Sequence, residues 1–400
     1  MSTSVSTGPS FLTPGSTAFR CANFALFCAG FSTFSLLYCV QPLLPLFSSY
    51  FHVSPAQSSL SLSCTTFLLA LSILAVGLRA ERFSRKQLMA CSLLASSALT
   101  LIAACLPNWG AMLLTRSLLG IALGGVPAVA MAYLAEEMHP DGLGLAMGLY
   151  IGGTAFGGMA GRFITGLVAD FFSWRAAMGT IGVLGLLSAG LFVRYLPKSS
   201  QFRPRRGTAL NGVRTAFMQH LRDRRLLGLF GLGFVLMGGF VTTYNYAGYR
   251  LMAAPYHLSQ SAVGAIFIVY LVGIVASAWF GRLADRHGRV NMLTIAVALM
   301  LCGALLTLAH PLSIIVIGIT LLTFGFFAGH SVASGTVGRL AGSAKALAAS
   351  LYLLAYYLGS SVMGSTGGML WSHAGWPGVV AFVGTALAAG LVVCLRLRRA

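Results

Sequence analysis

Residues 281–289 read GRLADRHGR, one carboxylate (Asp285) set among the guanidiniums of Arg282, Arg286 and Arg289. Residues 77–86, GLRAERFSRK, repeat the arrangement. Gly77, Glu81, Arg82 and Arg85 stand 204 positions before Gly281, Asp285, Arg286 and Arg289. Groups of this kind can pair charges and cap helix ends, and nothing in either stretch adds a nucleophile with a base or a metal-ligand set. Two such knots at matched positions between apolar runs read either as interfacial arginines that anchor the chain or as charge pairs across a seam between helices. Glu136 and Glu137 are the carboxylates best placed to meet Arg82 or Arg85.

Other polar residues lie inside the apolar runs, where an ionisable group is costly and hence a functional candidate. Arg116, in RSLLGIALGG, suits either coupling and anion binding or hydrogen bonding to carbonyls of neighbouring helices. Arg162 ends a glycine run and is expected to reach outward to the interface or to pair with Asp170. His330 is either a group titrating near neutrality or a packing histidine. Gln41 beside Pro42, with Tyr244 and Asn245, falls near the outer ends of spans, in reach of a substrate or an outer gate. Gly153, Gly157 and Gly161 form a small-residue face for close helix packing.

The elements that must position these residues follow from composition. Of 400 residues, 57% are hydrophobic and 8% charged, with a mean hydropathy of +0.84. A soluble domain carries about 25% charged residues, so this chain is a polytopic membrane protein. Its net charge of +19 sits at the ends of apolar segments, beside phospholipid headgroups, and implies no nucleic-acid partner. The eight cysteines are scattered singly, which implies neither a metal site nor a disulfide framework. Reading for runs of about 20 apolar residues gives twelve spans. They lie near 21–47, 58–78, 87–106, 110–134, 143–169, 174–196, 226–249, 261–280, 290–309, 312–334, 346–369 and 376–395.

With both termini cytoplasmic, 22 of the 26 basic residues fall on the cytoplasmic side, as the positive-inside rule requires. The first apolar run is too long for a signal-peptide core and is expected to stay in the mature protein. A disordered tail is expected over 1–19, six-helix halves over 20–196 and 226–395, a basic linker over 197–225, and a short tail over 396–400. The linker should hold an amphipathic surface helix near 208–224. The halves echo each other again in their fifth spans. Tyr150, Gly152, Gly157 and Gly161 of YIGGTAFGGMAG match Tyr357, Gly359, Gly364 and Gly368 of YLGSSVMGSTGG.

These features resemble the major facilitator superfamily, whose signature GxxxDRxGR is matched completely by 281–289. The first copy departs from it at Glu81 and Ser84. Arg116 resembles the RxxxGxxxG motif of superfamily antiporters. Gly153–Gly158 resembles their GPxxGG, with Thr154 in place of the proline. The stretches YCVQPLLP, PAVAMAYLAEE, YNYAGYRL and GFFAGHSVASG are similar to the bacterial YnfM-like group of inner-membrane transporters. The resemblance implies an all-helical membrane fold of two pseudo-symmetric bundles, with the two charged turns as a cytoplasmic gate that closes in one state and releases in the other. It also implies a monomeric secondary transporter without cofactors, moving a small organic solute by alternating access, with protons as a possible coupling ion.

No GxxxxGK[ST] sequence is present, so ATP hydrolysis is not expected, and the clusters an enzyme needs are missing. All seven acidic residues lie in loops or at helix ends. A cavity with an arginine and no carboxylate favours neutral or anionic substrates over cations. An uptake facilitator for a sugar or metabolite is the alternative on the same fold.

Overall fold

In hydrocarbon no water is available to backbone N–H and C=O groups, so the chain satisfies them within helices. The computed structural model describes residues 11–79, 83–202, 210–342 and 345–399. The first group of helices is α1 (Thr17–Tyr38), α2 (Leu44–Phe51), α3 (Pro55–Arg79), α4 (Arg85–Cys105), α5 (Trp109–Leu123), α6 (Gly125–Glu137), α7 (Pro140–Phe171) and α8 (Trp174–Tyr195). Then follow α9 (Leu210–Arg222), α10 (Arg224–Met252), α11 (Gln260–Ala265), α12 (Tyr270–His287), α13 (Arg289–Leu306), α14 (Leu312–Leu340) and α15 (Lys345–Arg399). The helix α9 falls within the stretch expected to hold an amphipathic linker helix.

Eleven continuous helical stretches among the described residues are long and apolar enough to cross a membrane. The last of them, α15, is two arms meeting at Gly375, whose φ of 59° and ψ of −150° interrupt the helix. Counting its arms separately recovers the twelve expected spans. A left-handed φ strains any residue with a Cβ, so glycine is needed at this bend.

Three expected spans are not continuous rods. The first breaks after Tyr38 into a 3₁₀ turn, Gln41–Leu43, before α2, because Pro42 and Pro45 withhold backbone donors. The fourth divides at Gly124 into α5 and α6. Ser72 and Ser92 donate to the Ile121 and Ala122 carbonyls there, at 2.7 and 2.6 Å. The eighth passes from α11 through a 3₁₀ turn, Ile266–Val269, into α12. Of the tail expected over 1–19, the described residues 11–19 are ordered. Leu12 N–H donates to the Glu137 carbonyl at 2.8 Å, the Leu12 carbonyl accepts from His139 N–H, and Ser16 Oγ caps α1.

Large apolar side chains such as Leu114, Phe171, Phe172 and Val275 are exposed, which suits a lipid-facing surface. Hydroxyls point inward instead: Ser58, Ser59, Ser61, Ser63, Thr65 and Thr66 of α3 are all buried. Polar contacts between helices hold the interior, since apolar burial drives little association once lipid surrounds the chain. Close backbone approach does the rest. On α7, a Cβ at Gly153 would sit 2.5 Å from the Phe27 carbonyl of α1, and one at Gly161 2.6 Å from Ser35 Cα. At Gly157 it would overlap the Phe31 carbonyl. Gly359 makes the matching approach to Phe234 in α10, and Gly368 meets Ala56 of α3. Gly364 is less confined: a Cβ there would lie 3.3 Å from Asn245 Nδ2, so that amide would have to shift by a few tenths of an ångström.

Leucine at Gly157 must therefore drive α7 off α1 and should cost upwards of ~3 kcal/mol. Leucine at Gly152, which has open space around it, should change stability by less than ~0.5 kcal/mol. Thermal unfolding of the detergent-solubilised variants measures the contrast, and equal midpoints would refute the packing role.

Candidate substrate and gate sites

The broken first span sets the site. Where α1 ends, its last carbonyls have no helical donor. Arg116 of α5, fully buried, reaches them: Nη1 donates to Leu36 O at 3.0 Å and Nη2 to Leu37 O at 2.6 Å. Its Nε donates to Ser61 O of α3 at 3.0 Å. A cation at a helix C-terminus also complements the helix dipole. Of the two readings open for Arg116, the geometry matches the interhelical hydrogen-bonding one.

Beyond this staple the chain turns through Gln41. Gln41 Nε2 donates to Asn245 Oδ1 of α10 at 2.8 Å, and Gln41 Oε1 accepts from Arg162 Nε of α7 at 2.6 Å. Arg162 is only 2% exposed, and Nη1 donates to its own helix at Gly158 O, 2.5 Å away. It neither reaches outward nor pairs with Asp170, as the sequence suggested. Asp170 instead accepts from Ser261 Oγ at 2.5 Å. Arg162 points inward because three rings receive it, with Cζ 4.0 Å from the Tyr38 centroid, 4.9 Å from Tyr270 and 5.1 Å from Phe267.

Among the described residues no carboxylate pairs with Arg162. An unpaired buried charge costs several kcal/mol. Ring faces at ~0.5–2 kcal/mol each and charge-assisted hydrogen bonds at ~1.5–3 kcal/mol each offset that cost. Arg162 lies ~10 Å past the midpoint of α7, at 1.5 Å per residue, away from the end where α3 and α12 finish in basic turns. We call the latter the basic end.

Between described spans, the hydrogen bonds that join the two groups of helices run from the far end to the middle. Ser48 meets Tyr249 at 2.6 Å, Tyr249 donates to Leu44 O at 2.8 Å, and Gln260 Nε2 donates to Pro42 O. Deepest is Thr66 with Ser361 at 2.7 Å, midway along α3 and the first arm of α15. Tyr244 packs within the second group, its hydroxyl 2.8 Å from Thr323 Oγ1 and its ring stacked on Phe267. His330 is partly buried, with Nδ1 2.9 Å from the Tyr352 hydroxyl and Tyr356 at 4.7 Å between centroids. Gln41, Asn245 and Arg162 thus form one chain, while Arg116 and His330 stand apart from it. Sequence reasoning missed Tyr38 and Tyr270. Tyr38 lies in the stretch YCVQPLLP three positions before Gln41, a usable signal, whereas Tyr270 has no local one.

At the basic end, Glu81 and Arg82 lie outside the described residues. Arg85 pairs with Glu136 through Nη2 to Oε1 at 2.8 Å and Nε to Oε2 at 3.3 Å. Glu137 does not pair with Arg85; it accepts from Ser200 N–H, Ser200 Oγ and Gln201 N–H and so ties down the start of the linker. In the second copy Asp285 Oδ1 accepts from Arg289 at 2.6 Å and from Arg339 of α14 at 3.0 Å. Both pairings stay within one group of helices rather than crossing between groups. Arg286 forms no ion pair among the described residues. Gly288 has φ of 87°, whereas Ser84, its counterpart, has φ of −56°. The first copy therefore tolerates a Cβ where the second needs glycine. No close contact surrounds Gly77 or Gly281.

Arg116→Leu should strand the Leu37 carbonyl and leave that of Leu36 with only the weak Cys39 Sγ–H donor, at ~1–3 kcal/mol each, while Ser61 O keeps Thr65 Oγ1. We expect a loss of at least ~3 kcal/mol in the unfolding midpoint series, with Arg116→Lys recovering only part, because an ammonium cannot span three acceptors. Wild-type stability in Arg116→Leu would refute the staple.

Comparison with known proteins agrees with this architecture. The Major Facilitator Superfamily profile matches residues 25–251 and 229–400. The inner membrane transport protein YnfM of Escherichia coli is 45% identical over 399 residues, covering 99% of this chain and 95% of the relative. The uncharacterized MFS-type transporter YybF of Bacillus subtilis is 47% identical over 373 residues, covering 93% and 92%. Among solved structures, a mutant of the nucleoside transporter NupG superposes with a TM-score of 0.76 at 14% identity, covering 94% of this chain and 99% of that one. A bacterial homolog of the human lysosomal transporter Spinster, inward-facing and occupied, gives 0.74 at 15% identity over 96% of each chain. These relatives are transporters, not enzymes, and this chain belongs to the major facilitator superfamily of membrane transporters.

Proposed function

We propose that this protein exports a small neutral or anionic organic solute across the bacterial inner membrane, as a monomer, in exchange for protons. The halves 20–196 and 226–395 rock against each other about the site between them, with both termini and the basic turns in the cytoplasm. The observation that carries the substrate charge is Arg162, a guanidinium between the halves with ring faces and amides for neighbours and no carboxylate. By sign alone that site disfavours cationic solutes.

Support for the orientation comes from the basic residues gathered at one end. With that end inside, the bonds from Ser48 to Tyr249 and from Asp170 to Ser261 close the outer side. The inward-open state then leaves Arg85 and Asp285 paired within their own halves, free to exchange partners when the inner side closes. Export rests on the likeness to YnfM-type transporters. His330, hydrogen-bonded to Tyr352, is the candidate proton carrier, because no carboxylate lies within a span.

Uptake of labelled solutes into inside-out membrane vesicles with an acid interior tests the reading. An organic anion or a neutral solute should accumulate, accumulation should collapse with the pH gradient, and a cationic dye should not accumulate. Equilibration that ignores the gradient would instead make the protein a facilitator, a role that needs no buried carboxylate.

A further inference from the structure

Three donors around Arg162 are unused. Its Nη2 carries no hydrogen bond among the described residues, because Nε is held by Gln41 and Nη1 by Gly158. The Tyr270 hydroxyl, on a ring 4.9 Å from the guanidinium, is buried without a partner. So is Asn245 Nδ2, on the amide whose oxygen accepts from Gln41. Buried donors without acceptors are rare, because each forfeits ~1–3 kcal/mol. Two of them, Tyr270 Oη and Asn245 Nδ2, beside a cation whose Nη2 is unused, mark the place of a missing acceptor.

The surroundings define the rest of that ligand. From Arg162 a ladder of rings runs through Tyr270, Phe327, Phe326 and His330 to Tyr356, with successive centroids 5.7, 5.1, 6.1 and 4.7 Å apart. Ring pairs at such spacings gain ~0.5–1.5 kcal/mol beyond area burial, which a planar body can share and a flexible chain cannot. One guanidinium without a counter-ion balances a single negative charge.

Resting on the transport reading above, we propose that the ligand is an aromatic monocarboxylate. Its carboxylate bonds to Arg162 Nη2 and the Tyr270 hydroxyl, and its ring lies along the ladder. Gln41 is then a stand-in for the carboxylate. A carboxylate that takes the Nε–Nη2 edge of Arg162, the bidentate geometry this group prefers, displaces the Gln41 oxygen. The Gln41–Asn245 bond between the halves is disturbed by the same event, so anion binding loosens the outer closure.

Calorimetry on the purified full chain in detergent tests this with benzoate, 4-hydroxybenzoate, their uncharged analogue benzamide, and the aliphatic hexanoate. We expect both aromatic acids to bind, with benzamide weaker by about tenfold or more, the equivalent of one charge-assisted hydrogen bond. Hexanoate should be weaker than benzoate. The key variant is Gln41→Glu, which sets a built-in carboxylate on Arg162 Nε and forms an ion pair, so folding is not threatened. It should abolish binding of the acids.

Benzamide binding within about threefold of benzoate, undiminished acid binding by Gln41→Glu, or no binding by either aromatic acid would each overturn the proposal. Because the readout is binding, it is separable from the transport reading. Acid binding by a protein that moves no solute in vesicles would sink the latter and leave the former standing.

Discussion

One constraint organises this molecule: inside a membrane, a backbone group released by a broken helix must find its partner within the protein. The first span is broken, and Arg116 supplies the partner, bridging the end of α1 to α3. That bridge fixes the direction in which Gln41 leaves α1. Gln41 in turn holds Arg162 with one end of its amide and Asn245 with the other. Two arginines with similar sequence settings thus do different work. Arg116 turns all three of its nitrogens to carbonyls, whereas Arg162 leaves Nη2 without a hydrogen bond among the described residues.

The two copies of the charged turn show the same logic at the opposite end. In the first, the ion pair of Arg85 with Glu136 ties α4 to α6. In the second, one carboxylate serves two guanidiniums, Arg289 on its own side and Arg339 across on α14. Unlike the pair of the buried Arg85, the pairs of the exposed Asp285 are worth little, at most ~1 kcal/mol each. Such weak contacts suit parts that must part and re-form during a cycle. The glycine contacts of α7 on α1 and of α15 on α10, by comparison, involve backbones and do not exchange.

Much of this was legible from the residues alone, and the reasons are physical. Spans announce themselves because length and apolarity are direct requirements of a bilayer. Gly153, Gly157 and Gly161 were readable as a packing face because helical spacing brings them to one side. The charged turns were readable because few residues in the chain carry charge. Arg162 was misplaced because sequence shows its depth but not its rotation, and only the fold shows that its side faces Tyr38 and Tyr270. Glu136 and Glu137 could not be told apart, since adjacent helical positions point about 100° apart and tertiary contacts choose between them. The break after Tyr38 was signalled by Pro42, yet its partner, Arg116, lies 79–80 residues further on. No local pattern encodes such a meeting.

That separation bears on biogenesis. When α1 enters the membrane during synthesis, Arg116, which meets the Leu36 and Leu37 carbonyls in the folded chain, has yet to be translated. Until the fourth span arrives those carbonyls need another donor, whether the N–H groups of Val40 and Gln41 in a straighter helix, water or the insertion channel. The bonds that hold the Gln41 turn in place can form only after that later segment is made.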